Sequence, residues 1–184
     1  MATMTAGAAR GLSGERAALL ETLAKHRMLF RYTVAGIGED EARRRTTVSA
    51  LTLGGLLKHV VEVEEGWFEF VQTGRVRGSE EWAKYTPEAI ADGTTPGRED
   101  MTLGDGESVA GWLARWDEVA ARTDAYVAEG DLDVSHPLPD APWNPPGKWW
   151  SARQVFAHVI GETAQHSGHA DIIRESLDGQ RTMG

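Results

Sequence analysis

The sequence predicts an all-α protein, a four-helix bundle. Three observations predict it. Apolar residues recur at helical spacing in four segments of roughly 20–28 residues. Residues that cap or stop helices stand at the segment ends. No alternating run of useful length points to strands, and no internal repeat is present. A chain of 184 residues buries a substantial core without disulfide or metal staples.

The first helix is predicted over Gly14–Ile37, with Leu19, Leu20, Leu23, Met28, Leu29 and Val34 on one stripe. Ser13 is its expected N-cap, and Gly36 lies near its end. Residues 1–13, small and polar, read as a flexible tail before a single domain at 14–180. A charged link, Gly38–Arg45, follows. The second helix runs over Leu53–Thr73, between the cap Thr52 and the stop Gly74, with Leu56, Leu57, Val60, Val63, Trp67, Phe68, Phe70 and Val71 as its apolar positions.

Arg75–Gly106 is a long polar connection with Pro87 and Pro96. It allows a short helix at Pro87–Ala91, and its length marks it as a lid, a disordered stretch or a dimer contact. The third helix is predicted over Glu107–Glu129, capped by Ser108 or Asp105, on the pattern of Val109, Trp112, Leu113, Trp116, Val119, Ala120 and Tyr126. A second long loop, Asp131–Lys148, contains SHPLPDAPWNPPGK. The fourth helix runs from Trp150 to Leu177, capped by Ser151 and ended by Gly179. Within it, Gly161 and Gly168 cost helix propensity; close approach of a neighbouring helix or of a ligand, and simple local flexibility, are all open readings.

The net charge of −9 argues against a nucleic-acid or anionic-membrane partner, since either needs a basic surface. No apolar run approaches the roughly 18 residues a membrane span needs, and the N-terminus lacks an apolar signal core. With no cysteine, the chain has no disulfide, thiolate metal site or cysteine nucleophile. The default reading is a soluble cytoplasmic protein.

The fourth helix carries the chemistry. In HVIGETAQHSGH, His158, Glu162, His166 and His169 fall at i, i+4, i+8 and i+11, nearly on one face. That face also holds Val155, Val159 and Ile173, so it points towards the core. A buried carboxylate is costly unless paired or metal-bound. On the second helix His59 shares the buried face of Gly55, Leu56, Val63 and Trp67, with Glu62 one turn along. Two histidines and a carboxylate from two helices make a three-ligand site of the catalytic-zinc kind, and the same donors suit Fe2+ or Ni2+. By spacing alone the biting pair on the fourth helix stays open among His158/Glu162, Glu162/His166 and His166/His169. His26 and His136 read as ordinary packing or surface residues.

DEARRRTTVSALTLGGLLKHVVEVEEGWF and WWSARQVFAHVIGETAQHSGHADIIRESLDG resemble the DinB-like superfamily, specifically an actinobacterial-type branch related to the N-terminal domain of mycothiol-dependent maleylpyruvate isomerase. The likeness covers residues 14–180. It implies a bundle in the order up-down-down-up, with long second and third connections and with homodimers common. It also implies a metal triad of His59, Glu162 and His166. His169 stands where many members have glutamine, which leaves its role open, and His158 reads as a supporting or core residue.

The resemblance further implies a metal-dependent transferase that joins a low-molecular-weight thiol, mycothiol in the first instance, to a small electrophile. Zn2+ is the expected ion, Ni2+ and Fe2+ the alternatives. Two other readings stand beside it: a metal-dependent hydrolase, with Glu62 or His169 as catalytic candidates, and a non-catalytic metal- or ligand-binding protein. Arg153 and Trp150 are candidates for cosubstrate contact; Arg174 reads as a surface residue or a second anion contact. Trp143, Trp149 and Trp150 read as core plugs or pocket walls.

Overall fold

A computed structural model describes residues 12, 14–92 and 101–182. The elements are α1 (Gly14–Thr33), α2 (Glu39–Ala42), α3 (Leu53–Thr73), a 3-10 turn (Ser79–Lys84), α4 (Pro87–Asp92), α5 (Val109–Glu129), β1 (Ser135–Pro137), β2 (Trp149–Ser151) and α6 (Ala152–Asp178). The expected Ser13 cap and the tail lie outside the described residues, apart from Leu12, which packs partly buried against the core.

Four long helices form where the apolar stripes stand, and their ends are fixed chemically. The Thr52 and Ser108 hydroxyls accept the amides of Gly55 and Gly111 at 3.1 and 3.0 Å. At the start of α6, Ser151 Oγ accepts Gln154 N while Gln154 Oε1 accepts Ser151 N, a reciprocal box that satisfies two otherwise orphaned donors. Gly74 and Gly179 close α3 and α6 with φ of 72° and 81°, a conformation that carries little penalty only without a Cβ.

The helix directions follow from which ends meet. Arg153 near the start of α6 pairs with Glu15 at the start of α1, and Arg174 near the end of α6 reaches the Thr33 and Ala35 carbonyls at the end of α1; α1 and α6 are parallel. Lys58 meets Glu107 while Phe68 meets Tyr126, so α3 and α5 are parallel. His59 packs on His166 and Trp67 on His158, so α3 and α6 run opposite ways. Arg31 pairs with Asp117 and Arg16 donates to the Val127 carbonyl, so α1 and α5 do as well. The order is up-down-down-up. Parallel neighbours cannot be joined by a tight turn, which is why the α3–α5 connection spans the length of the bundle.

Several local expectations change. α1 ends at Thr33 and not Ile37, and the charged link contains α2, whose Glu41 carboxylate accepts the Gly38 amide. α5 starts at Val109 with Ser108, not Asp105, as cap. The proline loop contributes an antiparallel ribbon, with Ser135 opposite Ser151 and Pro137 opposite Trp149. Runs of three residues, one holding proline, are too short to show alternation. Inside the α3–α5 connection, the short helix at Pro87 is present; residues 93–100 lie outside the described set. Gly161 and Gly168 face open space, so they serve no close approach by a neighbouring element among the described residues.

The close approach falls instead at Gly54 and Gly55. A Cβ on Gly55 would sit 1.6 Å from the Met101 carbonyl oxygen, and one on Gly54 2.5 Å from the Leu103 side chain. The returning connection thus lies directly across the first turn of α3, one turn from His59.

The buried apolar residues form two clusters, one around Phe30, Leu56, Val60, Trp116 and Ile173, the other around Leu23, Phe70, Val127, Val155 and Phe156. Between them the bundle has a polar waist. On the side of α1, α3 and α5, Arg27 donates to both Glu64 oxygens at 3.1 and 2.5 Å and to Asp124 at 2.8 Å. Trp116 Nε1 donates to Glu64 at 2.8 Å. Glu64 is 1% exposed, so its charge is sustainable only because these donors surround it.

Candidate metal centre

The other half of the waist lies between α3 and α6. His59, Glu162 and His166 each offer a donor atom, and the three atoms lie within 4.8 Å of one another. The antiparallel register of α3 on α6 brings residue 59 to the level of 166, and the i, i+4 spacing on α6 puts Glu162 beside His166. His166 is buried, while His59 and Glu162 are half-buried, so the group is only partly shielded from solvent.

His166 Nε2 stands 3.5 Å from Glu162 Oε2, and His158 Nε2 stands 3.8 Å from Glu162 Oε1. The His59 and His166 rings meet edge to face at 4.7 Å. The hydrogen bond with His166 holds the Glu162 carboxyl below the usual carboxylate range, with burial opposing and the nearby imidazoles of His158 and His59 adding to the effect. Glu162 is therefore ionised at neutral pH. Burial pushes the His158 imidazole below its ordinary value, with Glu162 opposing, so this ring is neutral there.

The donors have aromatic neighbours on one side and backbone on the other. At the first, Trp67 lies 5.0 Å from both Trp150 and His158, and Trp150 lies 5.0 Å from His158. The ribbon delivers Trp150 to this place. It is anchored by His136, whose ring nitrogen Nε2 lies 3.1 Å from the Val71 carbonyl. At the second, the Met101 carbonyl lies over Gly55. His169 sits beside His166, Nδ1 to Nδ1 at 3.3 Å.

The donor set fits a divalent ion. Tetrahedral zinc with bonds of about 2.0–2.2 Å places neighbouring donors about 3.4 Å apart, and the Glu162–His166 pair already stands at 3.5 Å. Two imidazoles and one carboxylate leave a coordination position for a further ligand.

Of the other sequence candidates, Glu62 is half-buried on α3 and is not among the three converging donors. Arg153 is engaged by Glu15 and Asp133 at the α1 side of the bundle and is not among the converging donors. Arg174 is not a surface group: it is buried and caps the end of α1. Trp143 packs on Trp82 and Tyr85, tying the proline loop to the 3-10 turn. His26 is half-buried on α1, and its Nδ1 has no hydrogen-bond partner among the described residues. The Arg27–Glu64–Asp124 group went unread in the sequence. Its signal was positional: Glu64 shares its face with Val60, Val61 and Phe68, and Arg27 shares its face with Leu20, Leu23 and Phe30.

Residues 18–179 match the family model of mycothiol S-transferases. The chain belongs to this DinB-like family. No curated protein matches it in sequence. The match spans both helices that carry the three donors, α3 and α6, and the whole of the ribbon between α5 and α6. Among the described residues, no helix is long and apolar enough to cross a membrane.

Proposed function

We propose that the protein transfers mycothiol to a small electrophile, with His59, Glu162 and His166 holding a divalent metal ion, zinc in the first instance. The observation that carries the reading is the convergence of these three donors at the polar waist of a mycothiol S-transferase family member. A bound divalent ion supplies one thing, a positive charge that keeps a coordinated thiol deprotonated near neutral pH.

The chain's own residues do the rest. Glu162, held ionised by its neighbours, contributes one negative charge, which only partly neutralises a divalent cation and leaves attraction for an anionic sulfur. His59 and His166 contribute neutral lone pairs. With no cysteine in the chain, the reacting sulfur comes from the cosubstrate. In the transfer, the thiolate sulfur forms a bond to an electrophilic carbon as the bond from that carbon to its leaving group breaks; the leaving group departs with the bonding pair as an anion, and the thiol proton passes to solvent. The half-buried rings of Trp67 and Trp150 flank the site beside His158, and the Met101 carbonyl lies against Gly55, one turn from His59.

Calorimetric titration of mycothiol into zinc-loaded protein and into the metal-stripped protein tests this. Binding that requires the metal, followed by metal-dependent conjugation of mycothiol to a reporter such as monobromobimane, is the expected result. A zinc-loaded protein that binds no mycothiol would overturn it.

A further inference from the structure

His166 poses a proton problem that the family match does not address. A neutral imidazole carries one proton, and a ring nitrogen donates its lone pair to a metal only when the other nitrogen holds that proton. His166 Nε2 is the nitrogen turned towards Glu162, at 3.5 Å. In the metal-free protein the ionised Glu162 carboxylate accepts the proton of that nitrogen; once a metal takes the Nε2 lone pair, the proton belongs on Nδ1. That atom lies 3.3 Å from the Nδ1 of His169. Two ring nitrogens at this distance share one proton, one donating and the other accepting. Only one direction leaves Nε2 of His166 free as a donor of electrons: His166 Nδ1–H donates, and His169 Nδ1 accepts, with the His169 proton on its own Nε2.

We infer that His169 is a positioning residue that fixes the tautomer and ring orientation of His166. The inference rests on the metal-site reading of His166. Spacing on α6 makes it possible, since residues three apart are surface neighbours, and the two ring centroids lie 5.3 Å apart. In most metal sites a carboxylate or a backbone carbonyl takes this supporting role. An imidazole does the same work without adding a charge. That difference has a chemical consequence. With Glu162 as the one anionic donor, the site with a divalent ion keeps a net charge of +1 and favours an anionic fourth ligand; a carboxylate at residue 169 would cancel it. The choice of histidine thus suits a thiolate-binding site and selects against one that prefers neutral ligands.

The test separates an acceptor at one atom from mere filling of space. Asparagine places Oδ1 on the atom bonded to Cγ, where histidine has Nδ1, so His169→Asn keeps the acceptor. His169→Leu keeps comparable bulk and removes it. Zinc affinity of the full-length protein, measured by competition with a chromophoric chelator, should fall about 10–100-fold in His169→Leu and recover to within a few-fold of wild type in His169→Asn. Two-bond proton–nitrogen correlation spectra of the zinc-loaded wild type should show His169 protonated on Nε2 and His166 on Nδ1. Equal zinc affinity for the Asn and Leu variants, or a His169 ring protonated on Nδ1, would overturn the inference. A wild type that takes up no zinc is a different failure, that of the metal reading, and it removes the ground of this inference with it.

Discussion

The two halves of the polar waist make opposite use of buried polarity. The Arg27–Glu64–Asp124 group is closed: a cation, two anions and the Trp116 N–H occupy one another, and Glu64 is 1% exposed. Burial opposes the Arg27 charge, but Glu64 and Asp124 outweigh it and hold its pKa above the ordinary value. The His59–Glu162–His166 group is open. Its donors are electron-rich, they converge, and two of the three are half-buried. The first arrangement carries its own positive charge; the second is arranged to receive one. Placing both at one level lets the same break between apolar clusters serve structure on one side and chemistry on the other.

Breaking the closed half should cost the most. Arg27→Ala leaves Glu64 buried without its guanidinium, and about 3–5 kcal/mol of unfolding free energy should be lost in chemical denaturation. The open half should behave differently. Glu162→Gln should change the stability of the metal-free protein by less than about 1 kcal/mol. Zinc at a thousand times its dissociation constant should add about 4 kcal/mol to the wild type, and Glu162→Gln should lose most of that gain. Thermal unfolding with and without zinc reads both numbers.

A smaller effect probes the boundary of the open half. Gly55→Ala drives a Cβ into the Met101 carbonyl and should cost about 1–3 kcal/mol. Because His59 lies one turn along α3, this variant should also weaken zinc binding, which the chelator competition measures.

The smallest change sharpens the comparison within the closed half. Burial pushes the Asp124 carboxyl up, with Arg27 opposing and Glu64 reinforcing. The folded protein therefore holds this proton more tightly than the unfolded chain. The stability that Asp124 contributes is fully present below the ordinary aspartate value and is lost as pH rises through its raised folded value. Asp124→Asn removes this titration. Stability against pH should flatten through the carboxylate range, and at neutral pH the variant should lose much less than Arg27→Ala.

The helices and their caps were legible because each is a local pattern. Thr52, Gly74, Ser151 and Gly179 act where their chemistry says they should. The α6 stripe was legible for the same reason, although spacing left its biting pair open, and the cross-helix register of His59 on His166 is what distinguishes Glu162 and His166 from their neighbours. What was illegible depends on partners distant in sequence. Arg27 stands in the run Lys25-His-Arg27 and Glu64 in Glu62-Val-Glu-Glu65, and both look like solvated surface until α1, α3 and α5 are assembled. Arg174 looked exposed for the same reason. The ribbon escaped because three residues carry no period, and its pairing joins residues on either side of a proline-rich loop.

The most direct test of the metal-thiol account is the electronic spectrum of the cobalt-substituted protein during titration with mycothiol. The account predicts the intense visible bands of a low-symmetry Co2+ site in the wild type, their loss in His166→Ala, and a new sulfur-to-cobalt charge-transfer band as mycothiol is added. A spectrum of hydrated Co2+, or protein-bound Co2+ whose spectrum mycothiol leaves unchanged, would contradict it.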